Sequence, residues 1–142
     1  ALRHPSAGID SVRGLTAQDL GGRVELLVAD LSFISLTLVL PTFRAVLLDE
    51  PVAVVLVKPQ FEVGRTRLGK GGNVRAQGDR AWAITEVARC AIEAGLHPRA
   101  LAPSPILGGK GNAEYLVWLT PRAEESMGWE AVVRAADEVS AP

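Results

Sequence analysis

Hydrophobic residues along the chain alternate between runs typical of strands and spacings typical of helices. The runs at residues 24–30 (VELLVAD) and 51–58 (PVAVVLVK) are short, β-branched and nearly continuous, as in strands that are covered on both faces. Between them, residues 35–48 carry apolar side chains at helical spacing, with Ser32 or Ser35 as the N-cap. The order strand, helix, strand predicts a parallel pair joined by a right-handed crossover.

The second half of the chain predicts a helix, two strands and a closing helix. Asp79 is the expected N-cap of a helix that runs to about Ala94. A weaker strand at 98–102 and a strand at 113–120 are separated by a short glycine-rich turn, so the last strand is expected to be antiparallel to its predecessor. Residues 129–139 have the spacing of a helix. The pattern predicts an α/β domain with a mostly parallel sheet and an antiparallel last strand.

Composition limits the class of protein. A chain of 142 residues, 48% of them hydrophobic, suits one compact domain or most of one. The net charge of −1 does not indicate a strongly basic module, yet residues 58–80 contain six basic and two acidic side chains. The single cysteine, Cys90, is interpreted as a small core residue in a reducing cytosol. Since no apolar run approaches the length of a membrane span, we expect a cytoplasmic protein with no membrane partner.

The residues that most often bind metals or stack on bases are interpreted as structural. His4 and His97 belong to no recognisable ligand cluster, so no metal site is predicted. The apolar spacing of the tryptophans indicates core or packing groups rather than platforms for base stacking. These residues are Trp82, Trp118 and Trp129.

The glycine-rich stretch at residues 64–71 (GRTRLGKG) comes within one residue of a phosphate-binding loop pattern. It lacks the final hydroxyl residue and does not connect a strand directly to a helix, so nucleotide hydrolysis is not predicted. Two interpretations stay open. The stretch is either a flexible basic loop that contacts phosphates or an ordinary solvated loop.

Lys58, at the end of a buried strand, is the first candidate for chemistry. Pro59 ends the strand there, and open α/β sheets bind ligands at the carboxyl ends of their strands. A lysine in this position can also simply extend its ammonium into solvent. If the strand that ends at Asp30 is a parallel neighbour and the last strand is antiparallel, Asp30, Lys58 and Glu114 converge on one rim of the sheet. Because charges near a buried rim must be paired, this convergence predicts a functional site.

Three segments resemble one known family: residues 28–36 (VADLSFISL), 55–64 (VLVKPQFEVG) and 111–119 (GNAEYLVWL). They are similar to the corresponding segments of TlyA-type proteins, the hemolysin-A-like branch of the FtsJ-type RNA 2′-O-methyltransferases. The likeness covers nearly the whole chain. It implies a Rossmann-like methyltransferase sheet and the transfer of a methyl group from S-adenosylmethionine (SAM) to a ribose 2′-hydroxyl of ribosomal RNA.

The resemblance also implies roles for individual residues. The family uses a Lys-Asp-Lys-Glu tetrad, whose last three members match Asp30, Lys58 and Glu114. Lys58 is expected to contact the 2′-oxygen while Asp30 and Glu114 hold its ammonium in place. Lys58 then acts either as a general base or only to orient the oxygen. Asp30 and Leu31 are the expected contacts to SAM. The expected RNA contacts come from the basic charge of the chain rather than from the resemblance: Arg65, Arg67 and Lys70 of the glycine-rich stretch, and Lys110.

The chain departs from the family at its beginning. The first tetrad lysine, the glycine-rich SAM loop and a small RNA-binding domain all precede the equivalent of Ala1 in the family. Residues 1–142 therefore resemble a partial methyltransferase domain that lacks the first strands of its sheet, and we expect the chain to bind SAM poorly. The apolar strand at 24–30 would then be an open edge, so we expect either self-association or that these residues belong to a longer natural protein.

Two other functions remain as alternatives to methyl transfer. One is a non-catalytic RNA-binding remnant that keeps the basic loop but has lost SAM binding. The other is membrane lysis, which only the family's hemolysin name suggests. The sequence lacks a spanning segment or a strongly amphipathic basic one, and this argues against lysis.

Overall fold

Four strands form one sheet, and the computed structural model describes residues 14–69 and 71–142, apart from the side chain of Pro51. The sheet has the order β1-β2-β4-β3. β2 pairs in parallel with β1, and β4 pairs antiparallel with both β2 and β3. This confirms the predicted α/β class with an antiparallel last strand. The strands are β1 (Val24–Ala29), β2 (Leu47–Val57), β3 (His97–Pro103) and β4 (Tyr115–Thr120).

Three α-helices of the described residues accompany the sheet: α1 (Leu36–Val46), α2 (Gln77–Glu93) and α3 (Trp129–Ser140). Of the two expected N-caps of α1, Ser35 is the one used, because its hydroxyl accepts the backbone N–H of Thr37 at 3.1 Å. The expected cap of α2 is wrong. That helix begins at Gln77, so Asp79 lies inside the first turn. A carboxylate there interacts favourably with the positive end of the helix dipole.

Strand β2 begins earlier than the sequence predicts. It starts at Leu47, directly after α1, because Leu47 already pairs with Val24. Pairing then shifts register until Leu26 meets Val52. Pro51 falls inside this irregularity, which is where a sheet tolerates a residue without an N–H donor.

One face of the sheet forms the core with the helices. Alternate residues of β2 (Ala53, Val55 and Val57) are fully buried, and together with Val117 and Leu119 of β4 they belong to the same cluster as residues of α1, α2 and α3. Burial of this apolar surface at about 25 cal/mol per Å² is the main stabilising contribution. None of the helices in the described ranges is both long and apolar enough to cross a bilayer.

The opposite face of the sheet is apolar but open. Val28 is 71% exposed, and Leu26 and Trp118 are also exposed. Register places Val28 beside Val54, and Val54 beside Trp118, so these side chains form one strip across three strands. We call this strip the open face, and no described element covers it.

The three tryptophans are partly exposed and are not core residues, so the core alternative of that expectation is wrong. Trp118 lies on the open face, and Trp129 is the first residue of α3. Trp82 on α2 lies under the guanidinium of Arg67, 4.7 Å from the ring centroid. Apolar spacing predicts which face of a helix or strand carries each tryptophan. It does not predict whether another element covers that face.

Candidate functional site

The ends of β1 and β2 and the start of β4 meet at one rim of the sheet. They bring Asp30, Lys58 and Glu114 to that rim. β1 ends just before Asp30 and β2 just before Lys58, and these strands are parallel neighbours. Val57 pairs with Tyr115 in the antiparallel ladder, so Lys58 and Glu114 are the next residues out on the two strands. The register of the sheet therefore delivers an amine and two carboxylates to the same edge.

Lys58 is held in place by two oxygen acceptors. Its ammonium Nζ lies 2.6 Å from Oδ1 of Asp30 and donates to Oγ of Ser32 at 3.0 Å. The side chain of Lys58 is only 12% exposed, whereas that of Asp30 is 67% exposed. A nearly buried ammonium needs such partners, because an unpaired buried charge is strongly destabilising. These contacts use two of the three N–H groups of the ammonium, which leaves one for a further acceptor.

Glu114 is buried at the same rim but has a different partner. Its Oε2 accepts a hydrogen bond from Nε2 of Gln60 at 2.9 Å. Within the described part of the chain, Lys58 forms an ion pair with Asp30 and none with Glu114. The expectation that both carboxylates hold the ammonium is therefore met by Asp30 alone.

Gly108 makes room for the carboxylate of Glu114. A Cβ built at Gly108 would stand 1.8 Å from Oε2 and 2.3 Å from Cδ of Glu114, which is far inside van der Waals contact. The backbone of Gly108 has a negative φ that any residue adopts, so the requirement for glycine is one of space. The glycine-rich turn before β4 thus allows the side chain of Glu114 to lie close against the backbone of Gly108.

Glu62 joins the end of β2 to the start of α1. Its Oε1 accepts the hydroxyl of Ser35 at 2.5 Å, and its Oε2 accepts the backbone N–H of Leu36 at 2.8 Å. Burial raises the pKa of this carboxyl above its ordinary value of 4.5, although both hydrogen bonds oppose that rise. The contact fixes the loop between β1 and α1 against the loop that follows Lys58.

Phe33 completes the contact between these two loops. Its ring lies 5.0 Å from the ring of Phe61, centroid to centroid. Phe33 has a φ of 63° and is 79% exposed, so it combines an uncommon backbone conformation with an unusually exposed aromatic ring. Residues 30–36 and 58–62 thus lie side by side. The sequence analysis did not predict the contacts of Ser35 and Leu36 with Glu62, or of Phe33 with Phe61.

The loop after Phe61 carries several of the predicted RNA contacts, and we call residues 64–76 the basic loop. Arg65 and Arg67 lie on a short 3-10 turn and are exposed. The guanidinium of Arg67 is already engaged by α2, since it lies 3.8 Å from Oδ1 of Asp79 and above the ring of Trp82. Arg65 is therefore the more available of the two.

The other predicted contact residues differ in how well the structure defines them. Lys110 is exposed and has a φ of 60°, in the loop of residues 104–114 between β3 and β4. Leu31 is half-buried and packs against the core beside Asp30. Lys70 lies outside the described residues, as does the segment 1–13. Among the residues that are described, no group of three or more His, Cys, Asp or Glu side chains could hold a metal ion.

Comparison with known sequences shows a methyltransferase family. A family profile described as FtsJ-like methyltransferase matches residues 8–120. The chain is 48% identical over 132 residues to the 16S/23S rRNA (cytidine-2′-O)-methyltransferase TlyA of Mycobacterium tuberculosis, covering 90% of this chain and 49% of that protein. It is 39% identical over 109 residues to YqxC of Bacillus subtilis, a candidate rRNA methyltransferase, covering 77% of this chain and 39% of that one.

A solved structure is also similar. A candidate hemolysin from Lactococcus lactis superposes with a TM-score of 0.78 at 34% sequence identity. The match covers 87% of this chain and 61% of that chain. The chain thus spans about half the length of the M. tuberculosis protein and less than two thirds of the L. lactis chain.

Proposed function

The chain belongs to the FtsJ-like methyltransferase family, and from this premise we propose that it takes part in SAM-dependent 2′-O-methylation of ribosomal RNA. The observation that carries the proposal is the nearly buried ammonium of Lys58, held by Asp30 and Ser32 at the rim where the strands end. The rRNA methyltransferase names of the M. tuberculosis and B. subtilis relatives are consistent with it. A ribosomal substrate would place the protein in the cytoplasm.

Lys58 orients the ribose in this proposal. Its third N–H donates to the 2′-oxygen, while Asp30 and Ser32 prevent the ammonium from turning away. Bound SAM supplies an already activated methyl group, so the protein mainly has to align the reacting atoms. Glu114, kept at the rim by Gln60, places a second negative charge beside the first.

The residues present fit only part of a SAM site. Asp30 offers an exposed carboxylate at the end of β1, and Leu31 offers an apolar surface next to it. The segment from Asp30 to Ser35 contains no glycine, so its backbone cannot approach a ligand as closely as a glycine-rich loop does. Asp30 and Leu31 would hold one side of the methyl donor.

We therefore expect this chain of 142 residues to bind SAM weakly. Isothermal titration should give a Kd of about 1 mM or weaker, which corresponds to only about 4 kcal/mol of binding free energy. A micromolar Kd would contradict this expectation. A parallel titration of Asp30→Asn shows whether any binding observed involves the end of β1.

Loss of the Lys58 ammonium tests the proposed function directly. In the protein as its gene encodes it, Lys58→Ala and Lys58→Met should lower methyl transfer to ribosomal RNA by about 10²–10⁴-fold, because the oxygen is no longer oriented. Lys58→Met keeps the apolar stem. Arg89→Ala is the control, since Arg89 lies on α2 and pairs with Glu86 and Glu93. Incorporation of labelled methyl groups gives the rates, and circular dichroism verifies folding.

Each outcome of that experiment is informative. Methylation that survives both Lys58 variants would mean that the assigned site is incorrect. If the wild-type protein binds ribosomal RNA without methylating it, the RNA-binding remnant becomes the better description. The RNA contacts that we propose are the exposed basic side chains Arg65, Arg67, Lys70 and Lys110.

We also propose that the chain self-associates through strand 24–30. Within the described residues β1 pairs with β2 alone, which leaves its other backbone edge unpaired. Leu26 and Val28 are exposed on the adjoining open face. An apolar edge strand of this kind recruits other strands, and a second copy of the chain supplies one.

A further inference from the structure

Asn112 joins two loops at the rim through its buried side-chain amide. It is only 3% exposed. Its Oδ1 accepts the backbone N–H of Val74 at 2.9 Å, and its Nδ2 donates to the carbonyls of Gly72 at 3.0 Å and Gly109 at 2.9 Å. Val74 and Gly72 belong to the basic loop, whereas Gly109 belongs to the loop between β3 and β4. Both amide donors and one lone pair of the oxygen are therefore used, and two of the three hydrogen bonds connect the two loops.

Each loop is closed by its own backbone before Asn112 connects it to the other. The N–H of Gly69 donates to the carbonyl of Asn73 at 2.6 Å in the basic loop. The N–H of Gly108 donates to the carbonyl of Asn112 at 2.7 Å in the other loop. Two small closed turns therefore face each other, and the amide of Asn112 lies between them.

The connection places RNA-binding candidates next to the catalytic candidates. The stem of Lys110 lies over Gly72, where a Cβ at Gly72 would be 3.3 Å from Cδ of the lysine. Asn112 also precedes Glu114 by two residues, and Glu114 lies at the rim with Gln60. Movement of the basic loop is thus limited by a residue that is almost adjacent to the predicted catalytic carboxylate.

The hydrogen bonds between the two loops all depend on Asn112. Among the described residues, every hydrogen bond between the basic loop and the loop 104–114 involves the Asn112 side chain. Val74 is itself buried, so its N–H would lose its partner without Asn112. A buried donor without a partner is unfavourable, and the basic loop would have to rearrange to expose it to water.

We propose that Asn112 is a positioning residue that fixes the basic loop relative to Lys58 and Glu114, so that bound RNA presents its ribose at the rim. The inference rests on the proposed function and adds to it the residue that couples RNA binding to the catalytic side chains. Asn112 does not itself touch the reacting atoms. Its removal should therefore weaken the use of RNA more than it changes the chemical step.

The test compares Asn112→Ala and Asn112→Asp with Asn73→Ala. Asn112→Asp is isosteric and keeps the acceptor for Val74, but it loses both donors, so it provides a second variant if Asn112→Ala does not fold. Asn73 is the same residue type in the basic loop, and its side chain makes no hydrogen bond with a described residue. The measurements are KM and kcat for ribosomal RNA, Kd for SAM, and RNA affinity as a function of salt, in the protein as its gene encodes it.

Both Asn112 variants should raise KM for RNA by about ten-fold or more, the effect expected when buried hydrogen bonds are lost. kcat should stay within about three-fold and SAM affinity should not change. The slope of log affinity against log salt should become shallower by about one to two, because fewer phosphate contacts are made. Asn73→Ala should behave as wild type in all four measurements.

Three results would overturn the proposal. The first is an unchanged KM and salt slope in a folded Asn112 variant. The second is a fall in kcat or SAM affinity with KM unchanged. The third is failure of both variants to fold, which would make Asn112 a residue of general stability. Absence of methylation in the wild-type protein would instead count against the proposed function, and the RNA-binding measurements would still decide the role of Asn112.

Discussion

The rim of the sheet and its open face are organised in opposite ways. At the rim, polar groups are paired with specific partners: Lys58 with Asp30, and Gln60 with Glu114. On the open face, Val28 and its apolar neighbours have no partner among the described elements. The rim geometry is therefore set before any substrate arrives, whereas the open face still has surface to bury. In our proposals, methyl transfer depends on the rim and self-association depends on the open face.

Gly108→Ala should produce the largest difference between rim and surroundings. The new Cβ would overlap the carboxylate of Glu114, which must move and lose its hydrogen bond from Gln60. A displacement of about 1 Å at a catalytic group can cost about 10²-fold in rate. Methyl transfer to ribosomal RNA by the protein as its gene encodes it is the measurement.

The adjacent glycine supplies the control for Gly108→Ala. A Cβ at Gly109 meets nothing within 4 Å, so Gly109→Ala should retain wild-type rates. Thermal unfolding of both variants separates a local displacement from a loss of fold. If the two alanine variants are equally active, the close packing of Glu114 does not matter for the reaction.

Glu62→Gln should have an intermediate effect, on stability rather than chemistry. The amide can accept at one position only, so either Ser35 or Leu36 loses its acceptor, at a cost of about 1–2 kcal/mol near a helix start. Urea unfolding at several pH values gives the free energy of unfolding. Glu130→Gln, an exposed change on α3, is the control.

The pH dependence of that comparison follows from the raised pKa of Glu62. Because burial raises the pKa above 4.5 in the folded protein, the folded state binds this proton more tightly than the unfolded state. The associated stability is fully present below about pH 4.5 and is lost as pH rises through the raised pKa. The stability advantage of wild type over Glu62→Gln should shrink across that window. An advantage that grows with pH would exclude this linkage.

Val28→Lys should have the smallest effect on folding and still abolish self-association. The side chain is 71% exposed, so its replacement should change the free energy of unfolding by about 0.5 kcal/mol or less. A charge at the strand edge opposes pairing with another chain. Light scattering of the 142-residue chain is the measurement, with Leu38→Lys on α1 as an exposed apolar control. A monodisperse wild-type monomer would refute association through β1.

Local pattern was enough to predict most of the elements and two residues of the candidate site. β-branched runs predicted β1 and β2, helical spacing predicted α1 to α3, and a charge after each apolar run indicated Asp30 and Lys58. These features can be predicted from the sequence because they depend on residues that are close together in the chain. Some predicted boundaries, such as the N-cap of α2, were wrong. Such boundaries are set by a few backbone hydrogen bonds that local composition specifies weakly.

The amino-acid sequence by itself determined where strands, helices and charged strand ends occur, because side-chain periodicity and backbone preferences act over a few residues. Only the tertiary structure decided that Glu114 bonds to Gln60, that Glu62 holds the start of α1 and that Asn112 joins two loops. The same holds for which face of the sheet is open. Those contacts join residues 26 to 54 positions apart, so they depend on sheet register and loop path rather than on local pattern.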